Sequence, residues 1–329
     1  MGLGQERDRS LTVVEAKEAL RRNALFEHVT CDLCGGEDYT VRYRGPDAWL
    51  FGTPFDFPVV RCTGCGLVYL NPRPTAETLG QYYPDQFYAG RDDDSSRKRY
   101  DRELARLSIP DVGKILDVGC AKGDFPAYLK GRFPHLDVYG CDAYSGGSDH
   151  AEITFLPKHV YDCGFPPDSF DLITSWAVFE HLLTPSRYFA EVARILKPDG
   201  KFVMLVPNAD SFASAVAHTE DIPRHTYHYS ADTVARYAAK YGMTVLHVEY
   251  CDDIYDGRGF GSLVGIVRNF FRLSSYRIRT RKVSIPVKVI LRLARVLDGI
   301  VFSPHWECQL NRGGIMVATI QRHHDSANR

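Results

Sequence analysis

Segment 115–125, ILDVGCAKGDF, constrains the fold strongly, because it predicts a strand, a glycine turn and the start of a helix in direct succession. Such a turn leaves backbone N–H groups free at a helix N-terminus and lets a ligand approach closely. It departs from the dinucleotide fingerprint G-x-G-x-x-G, since Ala121 takes the second glycine position and an acid the third. Asp117, Gly119 and Gly123 instead form D-x-G-x-x-x-G, which favours a ligand with an ammonium group and no phosphate.

From Lys114 onward, segments typical of strands alternate with segments typical of helices. Strands are predicted at KILDVGC, DVYGCDA, FDLITSWAV, GKFVMLVPN, MTVLHVEY and GGIMVATIQR, and helices at DFPAYLKGRF, SRYFAEVARILK and SADTVARYAAKYG. The last of these helices begins after a Ser N-cap and ends at Gly242. This alternation predicts an α/β protein with a Rossmann-like, doubly wound and mostly parallel sheet, whose ligands lie at the carboxyl ends of the strands.

Candidate binding residues follow several of these strands. Asp142 ends the second strand, where a carboxylate can accept both hydroxyls of a ribose, although a solvated acid is the alternative interpretation. Asp162 and Cys163 precede the next strand and are placed to meet the edge of a base. We expect Trp176 and residues 180–182 to close the far side of the same pocket.

Composition limits the partners of the chain. Its 329 residues are 44% hydrophobic and 25% charged, with a net charge of −1, as in an ordinary globular protein. This balance gives no general attraction to nucleic acid or to an anionic membrane. The N-terminus lacks the basic and apolar regions of a signal peptide, and we expect a cytoplasmic protein. The nine cysteines, five of them scattered, are typical of a reducing compartment.

Two C-x-x-C motifs lie near the N-terminus, in CDLCGG and CTGCGL. Cys31, Cys34, Cys62 and Cys65 therefore predict a zinc ribbon, and two unrelated cysteine pairs are the alternative. Four protein ligands leave no open position on the metal, so we expect a structural zinc. Residues 31–70 mix acids with few arginines, which disfavours nucleic-acid binding by the ribbon.

We expect six regions along the chain. They are an N-terminal helix (1–26), the zinc ribbon (27–72), a linker with a helical cap (73–111), the cofactor-binding core (112–250), a basic amphipathic insertion (251–312) and the final strand with a tail (313–329). In the linker, Tyr82, Tyr83 and Tyr88 either cap a ligand pocket or pack against the ribbon.

The insertion is locally basic, with nine Lys or Arg residues against one acid between positions 261 and 300. Lys288, Arg292 and Arg295 share one helical face, while Val289 lies elsewhere on the same helix. Two interpretations stay open. The basic face attracts a phosphate, of a nucleotide sugar or of a lipid-linked acceptor at a membrane, or it is a solvated face over a core or homodimer contact.

Residues 112–250 resemble the class I S-adenosylmethionine-dependent methyltransferases. The resemblance rests on four segments taken together: ILDVGCAKGDF, the acid of VYGCDA, FPPDSFDLITSWAVFEHL and EVARILKPDGKFVMLVPN. The resemblance implies a seven-stranded sheet with the last strand antiparallel, and a turn that holds the methionine end of S-adenosylmethionine. The cofactor-binding residues are then Asp117, Gly119, Cys120, Ala121, Gly123, Asp142, Asp162, Cys163 and Trp176.

The chain also resembles the zinc-ribbon methyltransferases associated with bacterial surface glycans, deoxysugars and natural products. This resemblance rests on the ribbon, on LVYLNPRP and YYPDQFY after it, and on RHTYHYS later in the chain. This implies a small-molecule acceptor, a sugar or nucleotide sugar, methylated on a hydroxyl. Two departures are Ala121 in the turn and little room for a second helix in 142–162. The long C-terminal domain of the sugar C-methyltransferases is also missing, which disfavours C-methylation. A natural-product or lipid-linked acceptor, or a cofactor-binding adaptor without turnover, remains an alternative.

Methyl transfer to a hydroxyl requires a group that takes the proton, and histidine is suited to this near neutral pH. Our preferred base is His225, followed by His228, with His181 as a pocket wall or alternate base. The alternative for His228 is a structural role at the start of the helix that follows it.

Overall fold

The computed structural model describes residues 25–45, 47, 56–83, 94–211, 214, 221–251, 254, 262–271, 273, 283–301 and 304–323. Nearly all of the N-terminal helix expected for 1–26 lies outside these residues, and so does Tyr88. Within the described part of the chain, no helix combines the length and apolar character that a membrane span requires.

The described strands are β1 (Phe26–Glu27), β2 (Tyr39–Gly45), β3 (Phe57–Cys62), β4 (Val68–Leu70), β5 (Arg73–Pro74), β6 (Lys114–Val118), β7 (Asp137–Cys141), β8 (Thr154–Leu156), β9 (Phe170–Trp176), β10 (Leu196–Pro207), β11 (Tyr227–His228), β12 (Met243–Cys251) and β13 (Ile315–Arg322). The described helices are α1 (Ala76–Leu79), α2 (Asp94–Leu104), α3 (Asp124–Arg132), α4 (Pro185–Ile195), α5 (Ala231–Lys240), α6 (Ser262–Phe270), α7 (Ile285–Val301) and α8 (Pro304–Gln309).

A seven-stranded sheet forms the centre of the protein, in the order β12-β13-β10-β9-β6-β7-β8. Strands β10, β9, β6, β7 and β8 pair in parallel, whereas β13 is antiparallel to both β10 and β12. The predicted fold class is therefore confirmed, including the antiparallel last strand. Because β12 runs in the same direction as β10, the carboxyl ends of all strands except β13 meet at one edge of the sheet.

Helices on this sheet bury their apolar faces against it. Phe189 of α4 and Tyr237 of α5 stack with ring centroids 4.7 Å apart. Helix α5 begins with a capping box, in which Ser230 and Thr233 each accept a hydrogen bond from the other residue's backbone N–H. It ends before Gly242, whose φ of +71° is left-handed. The predicted N-cap and stop signal of this helix are confirmed.

The ribbon has its own sheet, in the order β11-β4-β3-β2. Three strands come from the N-terminal region, but β11 comes from beyond β10 and pairs Tyr227 with Tyr69 and His228 with Val68. Asp32 also ties the ribbon to the core, because its carboxylate accepts hydrogen bonds from the Ser186 backbone N–H at 2.8 Å and the Tyr237 hydroxyl at 2.7 Å. The ribbon and the central domain are therefore joined by the pairing of β11 with β4 and by a half-buried side-chain contact.

The insertion between β12 and β13 contains α6 and α7, which pack against each other. Asp298 of α7 accepts hydrogen bonds from the backbone N–H groups of Leu263 at 2.8 Å and Val264 at 2.9 Å, at the start of α6. A carboxylate at a helix N-terminus is stabilising, so this contact ties α7 to the start of α6.

Candidate active site

The glycine turn lies between β6 and α3, at the carboxyl edge of the sheet. Gly119 and Gly123 have φ values of +76° and +88°, and Ala121 between them has +50°. A Cβ on Gly119 would overlap the side chain of Val178, so this position requires glycine for space as well as for backbone conformation. The turn is thus held against the loop that follows β9.

Asp142, at the end of β7, is tied to this turn. Its Oδ2 accepts a hydrogen bond from Ala121 N at 3.0 Å, and its Oδ1 accepts from Tyr144 N at 2.8 Å and Ser145 N at 3.1 Å. Burial raises the pKa of the Asp142 carboxyl above its usual value. Each carboxylate oxygen has more than one acceptor site, so the side chain can order the turn and still accept a ligand hydroxyl.

Asp117 lies beneath the turn, buried at the end of β6. The Thr174 hydroxyl on β9 donates a hydrogen bond to its Oδ1 at 2.7 Å. Burial raises the pKa of this carboxyl well above the ordinary range of an aspartate. A positive charge bound near the turn would favour the ionised form of the Asp117 carboxyl. A ligand with an ammonium and a sulfonium group would supply such a charge.

The other predicted cofactor residues surround the same edge. The thiol of Cys120 lies against β7, since a Cβ on Gly140 would be 2.7 Å from its Sγ. Asp162 ends a short 3-10 turn, and Cys163 follows it. The indole of Trp176 packs edge-on against Phe125 at 5.6 Å, and its N–H has no partner among the described residues.

Beyond β9, the chain brings Glu180, His181 and His225 together. Their nearest oxygen and nitrogen atoms all lie within 4.8 Å of one another, and the two imidazole rings meet edge to face at 4.6 Å. His181 lies three residues after Val178, the residue that contacts the glycine turn. This cluster is therefore positioned next to the candidate cofactor site by a single short loop.

His181 is held from two sides. Its Nδ1 donates a hydrogen bond to the Arg224 carbonyl oxygen at 3.2 Å and lies 3.0 Å from the Tyr83 hydroxyl. Burial lowers the pKa of His181 to about 4, so the ring is neutral near pH 7. Tyr82, in contrast, packs edge-on against Phe57 of the ribbon. Tyr83 thus lies at the candidate site, whereas Tyr82 packs against the ribbon.

Glu180 is a residue whose importance the sequence did not indicate beyond its place in EHL. It is 2% exposed, and burial raises the pKa of its carboxyl to about 8. Its Oε2 has no hydrogen-bond partner among the described residues. Its backbone carbonyl accepts a hydrogen bond from Thr226 N at 2.7 Å, which draws the segment containing His225 onto the loop after β9.

His225 and His228 occupy different positions around this site. His225 is buried, and its Nε2 lies 3.8 Å from Oδ2 of Asp221, an acid whose pKa burial raises to about 6. His228 is part of β11 in the ribbon sheet, and its ring centroid is 6.4 Å from that of His225. Two of the three predicted bases, His181 and His225, therefore form one cluster. The third, His228, lies beside this cluster in the ribbon sheet.

The four ribbon cysteines converge as their spacing predicts. Cys31 Sγ lies 3.4 Å from Cys65 Sγ, and Cys34 Sγ lies 3.5 Å from Cys62 Sγ. All four sulfur atoms lie within 4.8 Å of one another, and none forms a disulfide. Four thiol groups at these separations fit the tetrahedral coordination of one zinc ion, with about 2.3 Å from metal to sulfur. This cluster of four cysteines is compatible with a zinc ribbon.

Residues 93–248 match the family model described as a methyltransferase domain. Together with the sheet order and the glycine turn, this match makes the segment a class I S-adenosylmethionine-dependent methyltransferase domain.

Individual proteins are similar to parts of this chain. The chain is 24% identical over 162 residues to malonyl-[acyl-carrier protein] O-methyltransferase of Paenibacillus sp., covering 46% of the chain and 56% of the relative. It is 31% identical over 136 residues to trans-aconitate 2-methyltransferase of Deinococcus radiodurans, covering 40% of the chain and 51% of the relative. The match thus spans little more than half the length of these two proteins. The structure of a methyltransferase from Mesorhizobium loti is similar with 19% identity and a TM-score of 0.40, covering 68% of this chain and 98% of that chain.

Proposed function

We propose that this protein transfers the methyl group of S-adenosylmethionine to a hydroxyl of a sugar, nucleotide-linked or within a glycan, or of a related small metabolite. The observation that carries the proposal is the buried cluster of Glu180, His181 and His225 beside the glycine turn. Bound at that turn, S-adenosylmethionine supplies a methyl group that its sulfonium has already activated. The protein's part is then to orient the acceptor and to remove one proton.

His225 is the proposed general base. It takes the hydroxyl proton while the acceptor oxygen bonds to the methyl carbon and the electron pair of the C–S bond stays on sulfur. The neighbouring Asp221 can stabilise the imidazolium that results. His181 suits this step less well, because a pKa of about 4 makes its imidazole a weak proton acceptor. We assign His181, held by Tyr83, to positioning, and keep His228 as the second candidate for the base.

We assign the cofactor contacts to the turn and the strand ends around it. Asp142 would hold the ribose hydroxyls, Asp117 would favour the positive charge of the methionine end, and Asp162 with Cys163 would border the adenine. The backbone of Gly119, Cys120, Ala121 and Gly123, together with Trp176, would complete the site. The observed ties between Asp142, the turn and β7 support this assignment, because they bring its parts to one edge of the sheet.

A structural zinc in the ribbon is also part of the proposal, with Cys31, Cys34, Cys62 and Cys65 as ligands. The ribbon is small, and a bound metal supplies folding free energy that a core of this size lacks. Saturation of the metal by four sulfur atoms leaves it no role in the methyl transfer itself.

The acceptor class rests on the ribbon and on RHTYHYS rather than on the relatives. Those two relatives are named for malonyl-[acyl-carrier protein] and for trans-aconitate, which are different kinds of molecule. A natural-product or lipid-linked acceptor is the second candidate, because the insertion is basic. An adaptor that binds the cofactor without turnover is the third.

The test uses S-adenosylmethionine labelled in its methyl group, incubated with the purified full-length protein and an extract of its own host. Label in small aqueous solutes or in a glycan, released as a methylated sugar on acid hydrolysis, is the expected result. Label in a butanol phase would instead identify a lipid-linked or apolar acceptor, and label in macromolecules that yield no methylated sugar would identify a protein or RNA. Binding of S-adenosylhomocysteine without any transfer would identify the adaptor.

A further inference from the structure

We infer that the hairpin of α6 and α7 docks on a lipid surface that carries anionic headgroups. This goes beyond the methyl transfer proposed above and concerns a different part of the molecule. The inference rests on three separate faces of α7, which the described residues define.

One face of α7 is buried and narrow. Leu291 packs with Leu273 and Val283, and Asp298 caps the start of α6. These contacts occupy one side of the helix and leave the remainder of its circumference in solvent. The hairpin is therefore anchored by a single stripe, and its outer surface is free of other described elements.

A second face of α7 is apolar and exposed. Its members are Ile285, Val289, Leu293, Val296, Leu297 and Ile300, which are between 48% and 77% exposed. At about 100° per residue these side chains fall within an arc of about 120°. On α6, Phe270 is 80% exposed and Ile266 is 53% exposed. An apolar surface of this extent, carried by two adjoining helices, marks a site that is covered in use.

The third face is basic and adjoins the apolar one. Lys288, Arg292 and Arg295 are all exposed, and they lie between the apolar face and the buried stripe. The one acid of α6 and α7 is Asp298, which is buried and engaged with the N-terminus of α6. An apolar face bordered by cations, with no acid to offset them, is the pattern of a helix that lies in a membrane interface.

The positive charge of the hairpin favours docking on an anionic lipid surface over pairing with a second copy of the chain. In a two-fold dimer through this face, each copy would bring the same cations to the contact, because such interfaces are self-complementary. Lys288, Arg292 and Arg295 would then face or adjoin their own equivalents, and the acid of each hairpin, Asp298, is buried against α6. Anionic headgroups supply the missing negative charge, while the aliphatic side chains enter the acyl region.

The position of the hairpin is consistent with this role. It leaves β12 at Cys251 and returns to β13 at Ile315, and these two residues pair with each other. Cys251 lies at the carboxyl edge of the sheet, the edge that also carries the glycine turn and the cluster around His225. Docking through α7 would hold that edge near the lipid surface.

The test is flotation of the full-length protein with vesicles of phosphatidylcholine alone or mixed with phosphatidylglycerol, without S-adenosylmethionine. We expect binding to the mixed vesicles only, weakened by high salt. Replacing Lys288, Arg292 and Arg295 by Gln should weaken binding about a hundredfold, since each cation near an anionic surface contributes about fivefold. The double variant Leu293→Ser and Val296→Ser should also lose binding.

Matched controls are Val112→Ser, which removes an apolar side chain that is 78% exposed elsewhere, and Arg236→Gln on the exposed face of α5. Neither should change flotation. Equal binding to neutral and anionic vesicles, or no binding to either, would overturn the inference. If the wild type sediments as a dimer and Leu293→Ser with Val296→Ser makes it monomeric, the face is an interface between copies instead. Because flotation needs no methyl transfer, its failure is distinguishable from failure of the proposed activity.

Discussion

Glu180→Gln should make the protein more stable, and by an amount that grows with pH. Burial raises the pKa of the Glu180 carboxyl to about 8 in the folded chain, against about 4.3 for an unperturbed glutamate. The unfolded chain therefore releases this proton at lower pH than the folded chain, so the folded state loses stability as pH rises from about 4.3 to about 8. Between about pH 6 and pH 8 this loss is about 2 kcal/mol, and glutamine, which cannot ionise, avoids it.

The measurement is urea unfolding of wild type and Glu180→Gln at both pH values, followed by a probe of the central sheet. The difference in unfolding free energy between the two proteins should increase by about 2 kcal/mol from the lower to the higher pH. Titrating groups that do not interact with Glu180 cancel between the two proteins, and Asp221, whose charge contributes to the raised pKa of Glu180, is present in both. Glu152→Gln is the matched control, because the Glu152 side chain is 50% exposed and its pair with His150 is long. Parallel pH profiles for wild type and Glu180→Gln would refute the reasoning.

Three further outcomes are expected. Gly119→Ala should abolish binding of S-adenosylhomocysteine in calorimetry, because the added Cβ would overlap Val178 and the backbone φ is +76°. Gly131→Ala is the control and should bind normally, because the space around Gly131 is open. His225→Ala should lower kcat about 10²- to 10⁴-fold at unchanged affinity for S-adenosylhomocysteine, and a kcat within a few-fold of wild type would exclude His225 as the base. Removal of the ribbon metal by a chelator should open the ribbon to protease and lower kcat more than affinity for S-adenosylhomocysteine; unchanged protease resistance after complete removal would contradict a structural zinc.

The central strands of the sheet were predictable because they are buried and apolar, whereas β8, which is at most half-buried, was not predicted as a strand. Strands β9 and β10 are buried along most of their length, so their sequences read as continuous hydrophobic runs. The capping signals of α5 were equally direct, since Ser230 and Gly242 act within one helix. The antiparallel direction of β13 has no local signal and came from the family resemblance alone, and its position between β10 and β12 was not predicted.

The candidate active site was predictable in its members and not in its arrangement. His181 and His225 were both expected near the carboxyl edge, but their contact depends on the hydrogen bond between Thr226 N and the Glu180 carbonyl, which joins two distant segments. Glu180 could not be separated from an ordinary solvated acid, because its raised pKa arises from burial in the folded protein. The sequence gives no sign that the Tyr83 hydroxyl lies beside His181, because the two residues are far apart along the chain.

The pairing of β11 with the ribbon would let a zinc ion bound by the four cysteines influence the proposed base without contacting the substrates. Tyr227 and His228 pair with β4, and Leu70 N donates a hydrogen bond to the Thr226 carbonyl at 2.9 Å, directly after the proposed base. Strand β4 begins three residues beyond Cys65, so a metal that orders the cysteine loops also orders the strand against which His225 is registered. The glycine turn and Asp142 are held by the central sheet instead. Loss of the metal should therefore displace the base while leaving the cofactor contacts in place. This is why kcat is expected to fall more than the affinity for S-adenosylhomocysteine.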